Sequence, residues 1–221
     1  MPRTEAPVGA QEWVPPQPWS IDKLKSAAAD CQGCELHADA TQTVFGRGAP
    51  NARVVLVGEQ PGDVEDQKGL PFVGPAGRLL REAVDDSGLD ASDVYITNAV
   101  KHFRFETRGK RRIHQNPGPA HITACRPWLV AEFSLLEPEL VVILGATAGK
   151  ALLGPSFRVT QQRGKLMPWP ASAQHPGDFP VAEIQALATF HPSAVLRADD
   201  RETAYRTLVE DLKIAAGALS S

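Results

Sequence analysis

The sequence predicts an α/β protein: a mainly parallel central sheet with helices on both faces, a three-layer α/β/α sandwich. Two observations carry that expectation. Short apolar, β-branched runs alternate with helical stretches along the chain, and the polar residues that end those runs recur at the same place, just past the strand. The 221 residues suit one large domain, and 43% apolar with 22% charged residues is ordinary globular composition with a sizeable core. The longest apolar run, Leu140 to Ala146, falls far short of the ~20 residues of a membrane helix, and no charged-then-apolar leader opens the chain. The expectation is a soluble, cytoplasmic-type monomer with no membrane partner. With 23 Lys and Arg against 26 Asp and Glu, the net charge of −3 excludes coating nucleic acid by bulk charge, though not a local basic site.

Residues 1–19, with Pro2, Pro7, Pro15, Pro16 and Pro18, read as a proline-rich tail, extended or mobile until Trp19, ahead of a single domain over 20–221. Ser20 can cap a short helix bearing Ile21, Leu24 and Ala28 that leads to Cys31 and Cys34. Val54 to Val57 is apolar at every position, which predicts a strand buried on both faces, stopping at Gly58 before the tight Glu59-Gln60-Pro61-Gly62 loop. A helix follows from Pro75 or Ala76 to Asp86, with Leu79, Leu80 and Ala83 on one face and Gly88 beyond its end.

The second strand is Val94 to Thr97, ending at Asn98. Lys101 to Gln115 is polar and aperiodic, so it reads as a surface excursion. A long helix places Cys125, Leu129 and Phe133 on one inward face. Leu140 to Leu144 is the third strand, and Gly145 opens a turn into a helix around Ala148 to Leu152. Residues 164–181 read as an irregular insertion, Leu187 to Phe190 as a short strand halted by His191-Pro192-Ser193, and Tyr205, Leu208, Val209 and Leu212 as the stripe of a closing helix. Glu59, Gln60, Asn98, Gly145 and His191 thus all fall past the carboxyl ends of strands, the edge where open α/β sheets bind ligands.

Three constellations carry chemistry. Cys31-x-x-Cys34, His102 and Cys125 are four soft or borderline ligands, the number a tetrahedral zinc ion or a 4Fe-4S cluster requires; a reduced CxxC with a core thiol and a loop histidine is the plainer alternative. The segment 101–114 holds six Lys or Arg against Glu106, suited to phosphate neutralisation, with Phe103 and Phe105 able to pack or stack; a solvated face fits as well. Phe72, on the Gly/Pro-rich loop beside the first strand's end, is placed to stack on a flat ring or simply to anchor its loop.

Together these pieces resemble the uracil-DNA glycosylase superfamily, from about Cys31 to the last helix. Gly58-Glu59-Gln60-Pro61-Gly62 is similar to the first active-site motif of the iron-sulfur (family 4) enzymes, with Gln60 replacing alanine. His191-Pro192-Ser193 resembles the second motif, and Leu70-Pro71-Phe72-Val73-Gly74 the base-stacking loop. His102 stands where that family's third cluster cysteine would be. This departure, together with the extended loop ending Lys110-Arg111-Arg112-Ile113-His114, resembles the UdgX branch, whose loop histidine joins covalently to DNA after uracil is excised.

The resemblance implies an N-glycosidic bond hydrolase acting on uracil-containing DNA, single-stranded or duplex, with a 4Fe-4S cluster held by Cys31, Cys34, His102 and Cys125. Uracil would be extruded into the pocket, Phe72 would stack on it, Asn98 would pair with its edge, and His191 would hydrogen-bond O2 as charge develops. Gly58 lines the base site, and Gln60 and Asp63 contact the base or order the loop. His114 would attack C1′ as a neutral imidazole while Glu59 accepts the other ring N–H, with Arg111 and Arg112 favouring the uncharged ring. Arg108, Lys110, Arg111, Arg112 and Ser193 would hold DNA phosphates, with Arg112 also the best placed to brace the loop. The alternatives are a multi-turnover enzyme using water activated by Glu59, and a zinc-stabilised binding module without chemistry. A nucleotide-binding α/β protein is disfavoured, because neither a Walker pattern nor a Gly-x-Gly-x-x-Gly follows the first strand.

Overall fold

A strand apolar at every position must be covered on both sides, and the chain meets that demand with helices in two layers. The computed structural model describes residues 9–169, 179 and 184–219. In chain order its elements are α1 (Ile21–Ala28), β1 (Arg47–Gly48), β2 (Val54–Gly58), α2 (Asp63–Lys68), α3 (Pro75–Ser87), β3 (Val94–Asn98), β4 (Phe105–Arg108), β5 (Arg111–His114), α4 (Pro119–Leu136), β6 (Leu140–Leu144), α5 (Gly145–Leu153), α6 (Val159–Gln162), β7 (Leu166–Trp169), β8 (Ile184–Thr189), α7 (Pro192–Leu196) and α8 (Arg201–Leu219). Six strands form one sheet in the order β1-β3-β2-β6-β8-β7; the four inner strands are parallel and the two edges antiparallel. This is the expected three-layer architecture.

The period-2 alternation of β2 sorts its side chains between the two layers. Val55 and Val57 join Leu129, Phe133, Ala148 and Leu152 under α4 and α5. Val54 and Leu56 join Leu80, Val84, Leu208 and Leu212 under α3 and α8. A third apolar cluster, built by α1, α4 and Phe45, encloses the three cysteines.

The Ser20 cap forms as expected, its hydroxyl accepting from the Lys23 N–H at 3.2 Å. Three expectations need correction. Residues 9–19 do not trail free: Ala10 is buried, and Trp13, Val14 and Trp19 pack on the cysteine cluster, because apolar side chains between the prolines find a hydrophobic face there; residues 1–8 lie outside the described set. Within the insertion, Leu166–Trp169 is strand β7, pairing antiparallel with β8, while residues 170–178 and 180–183 lie outside the described set. The basic excursion begins in the interior, with Lys101, His102 and Phe103 all buried, and only then emerges as the β4–β5 hairpin. The tight loop ending at Gly62 is as expected and leads directly into α2, whose acidic first turn sits at the electropositive helix end. Among the described residues no helix is long and apolar enough to cross a membrane.

Candidate active site

Strand ends converge on one cavity of about 470 Å³ at the carboxyl edge of the sheet. Gly58 and Asn98 are paired neighbours there, the last residues of β2 and β3. A Cβ on Gly58 would stand 2.4 Å from Asn98 Oδ1 and 2.5 Å from Phe72 Cζ, so the floor can close only over glycine. Asn98 is 1% exposed and its Oδ1 has no hydrogen-bond partner. A buried acceptor left unpaired costs about 1–3 kcal/mol, and a ligand N–H would remove that cost. Phe72 forms a wall with φ 53, a left-handed backbone that a non-glycine residue adopts only when its surroundings enforce it. Arg81 does so by donating to the Phe72 carbonyl at 3.0 Å.

His191 caps α7 from within the cavity, its ring 5.9 Å from that of Phe72. The Ser193 N–H donates to His191 Nδ1 at 3.2 Å, and Ser193 Oγ lies 2.8 Å from the same nitrogen. Since a backbone N–H only donates, Nδ1 is an acceptor, and the proton of the neutral ring sits on Nε2. Burial, with His114 and then Arg197 nearby, lowers the His191 pKa to about 4, so near neutral pH the ring is an uncharged N–H donor. Ser193, expected at a phosphate, holds the His191 ring instead.

Glu59 follows β2 and reaches in two directions. Its Oε2 accepts from the Thr147 hydroxyl, and its Oε1 lies 3.3 Å from His114 Nε2. Gln60 Nε2 is 3.1 Å from the same ring nitrogen, yet its two hydrogens serve the carbonyls of Arg104 and Gln115, each at 3.1 Å, and its Oε1 accepts from the Arg104 N–H at 3.2 Å. Gln60 therefore clamps the two ends of the hairpin, and the Nε2 proton of His114 belongs to Glu59. Burial holds the His114 pKa below its ordinary value; Glu59 opposes that shift and Arg197 adds to it. The cation acting on this histidine is thus Arg197, not Arg111 or Arg112 as expected.

Arg112 braces the loop, as expected. Its guanidinium bonds Asp63 Oδ1 at 2.5 Å and the fully buried Asp66 at 2.6 Å, and it lies over the rings of Phe103 and Phe105 at 5.5 and 5.0 Å. Those rings stack on each other at 5.1 Å. Asp63, expected at the base or in the loop, thereby takes the loop role. Arg108 is exposed beside Glu106 at 3.3 Å, and Lys110 and Arg111 project from the exposed hairpin turn.

Cys31, Cys34 and Cys125 are buried free thiols in one apolar cluster. Burial raises the Cys34 pKa and pushes Cys125 up to about 12, each cysteine feeling the charge of its neighbours. The Trp128 indole N–H donates to Cys31 Sγ at 3.3 Å, and the Lys101 N–H donates to Cys125 Sγ at 3.2 Å, which opposes part of the rise that burial gives Cys125. His102 is buried, its pKa lowered to about 4 by desolvation and then by His37, so it is a neutral imidazole suited to ligation. Among the described residues no three His, Cys, Asp or Glu side chains converge on a point as a single ion requires. A cubane, whose four irons each take a separate donor, makes no such demand.

Three residues that line the cavity, and Thr147, which reaches it only through Glu59, were not singled out from the sequence. Arg197 closes the one-turn helix α7, Glu65 accepts from the Gly74 N–H at 2.7 Å behind Phe72, Asn116 borders the hairpin, and Thr147 opens α5. Only Arg197 had a local signal, as the cation six residues after His191.

Residues 45–213 match the model of the uracil DNA glycosylase superfamily. A type-4 uracil-DNA glycosylase of Thermotoga maritima is 36% identical over 186 residues, covering 84% of this chain and 87% of the relative. One from Sulfurisphaera tokodaii is 34% identical, covering 80% and 76%. A type-5 uracil-DNA glycosylase of Pyrobaculum aerophilum is 28% identical, covering 78% and 76%.

Proposed function

Since the chain belongs to the uracil-DNA glycosylase superfamily, we propose that it excises uracil from DNA and that His114 then captures the abasic sugar in a single turnover. The observation that carries this reading is the Glu59 carboxylate 3.3 Å from the ring of His114 at the wall of a cavity already furnished with a neutral histidine donor and an unpartnered asparagine oxygen. A nucleotide turned out of the stack brings its base against Phe72, and Asn98 Oδ1 accepts the uracil N3–H. Cytosine has no hydrogen there and leaves that oxygen unpaired. His191 Nε2–H donates to O2, so the electron pair of the breaking glycosidic bond leaves with uracil as a stabilised anion.

The remaining oxocarbenium carbon accepts an electron pair from the lone-pair nitrogen of neutral His114. The N–C1′ bond forms, the proton on the other ring nitrogen passes to Glu59, and from Glu59 it neutralises the uracil anion. Atoms and charge balance: the deoxyribose exchanges uracil for imidazole, and neutral uracil is released. The new bond has no ready leaving group, so the enzyme stays joined to the strand.

Cys31, Cys34, Cys125 and His102 would hold a 4Fe-4S cluster, which the buried donor set described above fits. When bound, it supplies a cross-link between the N-terminal segment and the root of the reactive hairpin. Arg108, Lys110 and Arg111 remain the phosphate contacts of this reading.

A denaturing gel after incubation with a uracil-containing oligonucleotide tests it, with intact-protein mass spectrometry and peptide mapping. We expect a shifted band whose modified peptide contains His114, and His114→Ala should release abasic DNA instead. Turnover to free abasic product by the unaltered protein defeats the trapping step in favour of water activated by Glu59. A zinc-bound, colourless protein with no uracil release defeats the enzyme reading altogether.

A further inference from the structure

A carboxylate that must face a ring nitrogen needs its rotamer fixed, because a free glutamate side chain samples many. Glu59 is anchored at its backbone, its carbonyl accepting from the Val100 N–H at 3.0 Å, but nothing in that contact aims the carboxylate. Thr147 does. It stands in the first turn of α5, directly after β6, 88 residues from Glu59 in sequence. Within a helix a threonine hydroxyl ordinarily turns back on a carbonyl of the preceding turn. Here it donates instead to Glu59 Oε2, which leaves Oε1 directed at His114 Nε2.

We infer that Thr147 is a positioning residue that locks the Glu59 carboxylate against His114. The inference rests on the reading of Glu59 and His114 given above. Valine at this position keeps the shape and β-branching of threonine and removes only the donor, whereas serine keeps the donor and removes a methyl group.

Thr147→Val and Thr147→Ser are compared with the unaltered protein in single-turnover reactions on a uracil oligonucleotide. Free uracil, crosslinked band and free abasic strand are quantified separately, and protein concentration is varied to separate binding from the maximal rate. In Thr147→Val the maximal rate falls about tenfold or more, as for a reacting group displaced by a fraction of an ångström. The half-saturating concentration stays within about twofold, and part of the product appears as free abasic strand. Thr147→Ser restores rate and partition to within about threefold of the unaltered protein.

An unchanged rate and partition in Thr147→Val overturns the inference. So does a valine defect that serine shares, or one that lies wholly in half-saturation. If the unaltered protein releases uracil but forms no adduct, the trapping reading is what fails, and Thr147 is judged on the rate of uracil release alone, where Glu59 orients water.

Discussion

Asn98 and His114 border the same cavity from unlike foundations. Asn98 ends a strand hydrogen-bonded on both sides within the main sheet, and its place is set by backbone register against Gly58. His114 ends a two-stranded ribbon that pairs with no strand of the main sheet, and its place is set by side chains reaching from far along the chain: the Gln60 clamp, and Arg112 fastened to Asp63 and Asp66. Backbone register is hard to change without unfolding the sheet. A few side-chain fastenings can be gained or lost on top of it, so on the proposed reading the floor that holds the base can keep its geometry while the wall above it changes chemistry.

The sharpest way to break this contrast is to disable each region in turn. His191→Ala removes the N–H donor that the proposed reading aims at the leaving base, and uracil release and adduct formation should fall together by roughly 10²–10³-fold, read from free uracil in single-turnover assays. Equal adduct yield with normal kinetics would place the leaving-group donor elsewhere. Arg112→Ala acts on the wall alone. It takes the cation from the buried Asp66 carboxylate and leaves it only the Thr41 N–H, which should cost about 2–3 kcal/mol in denaturant unfolding, and adduct formation should fall by about tenfold or more while uracil release changes little. A parallel loss of both activities would show that floor and wall are not separable.

Acid sharpens the comparison without mutation. On the proposed reading His114 acts as a neutral ring, and its pKa lies below the ordinary 6.5, so adduct formation should hold at pH 6.5 and above and fall only at a lower pH, as the ring protonates. His191 protonates only at about 4, so uracil release should persist to lower pH than capture does. The stability linkage runs the same way. Between pH 6.5 and about 4 the unfolded chain binds a proton at residue 191 and the folded chain does not, so stability declines as pH falls through that window, by about 3 kcal/mol from this group. Urea unfolding at pH 7 and pH 4.5, compared between the unaltered protein and His191→Ala, isolates it from the like contribution of buried His102. The smallest effect belongs to the exposed hairpin turn. Lys110→Ala and Arg111→Ala should each weaken DNA binding by a few-fold and lower the slope of log affinity against log salt by about 1, with no change in the partition between adduct and free product.

Much of the floor was legible in the sequence because its signals are local. An all-apolar run stopping at Gly58, a second run stopping at Asn98 and a third stopping before His191 place three residues on one sheet edge by periodicity alone. The wall was not legible in the same way. Arg112 sits in a run of cations that composition assigns to phosphate, and only the fold shows Asp63 and Asp66 waiting for it, 49 and 46 residues earlier. Thr147 is one hydroxyl in a small-residue helix start, with no pattern to distinguish it.

What the chain determined by itself is the four inner strands β2, β3, β6 and β8 and the helices α1, α3, α4, α5 and α8, in their order, because apolar periodicity and glycine, proline and serine stops act over a few residues; the edge strands, the β4–β5 ribbon and the short helices carry too weak a local pattern. The packing of the proline-rich segment, the burial of Lys101 and His102, and the pairing of Glu59 with Thr147 were decided only in three dimensions. Those choices depend on which distant groups desolvate one another, and burial and charge pairing have no sequence period from which they can be read.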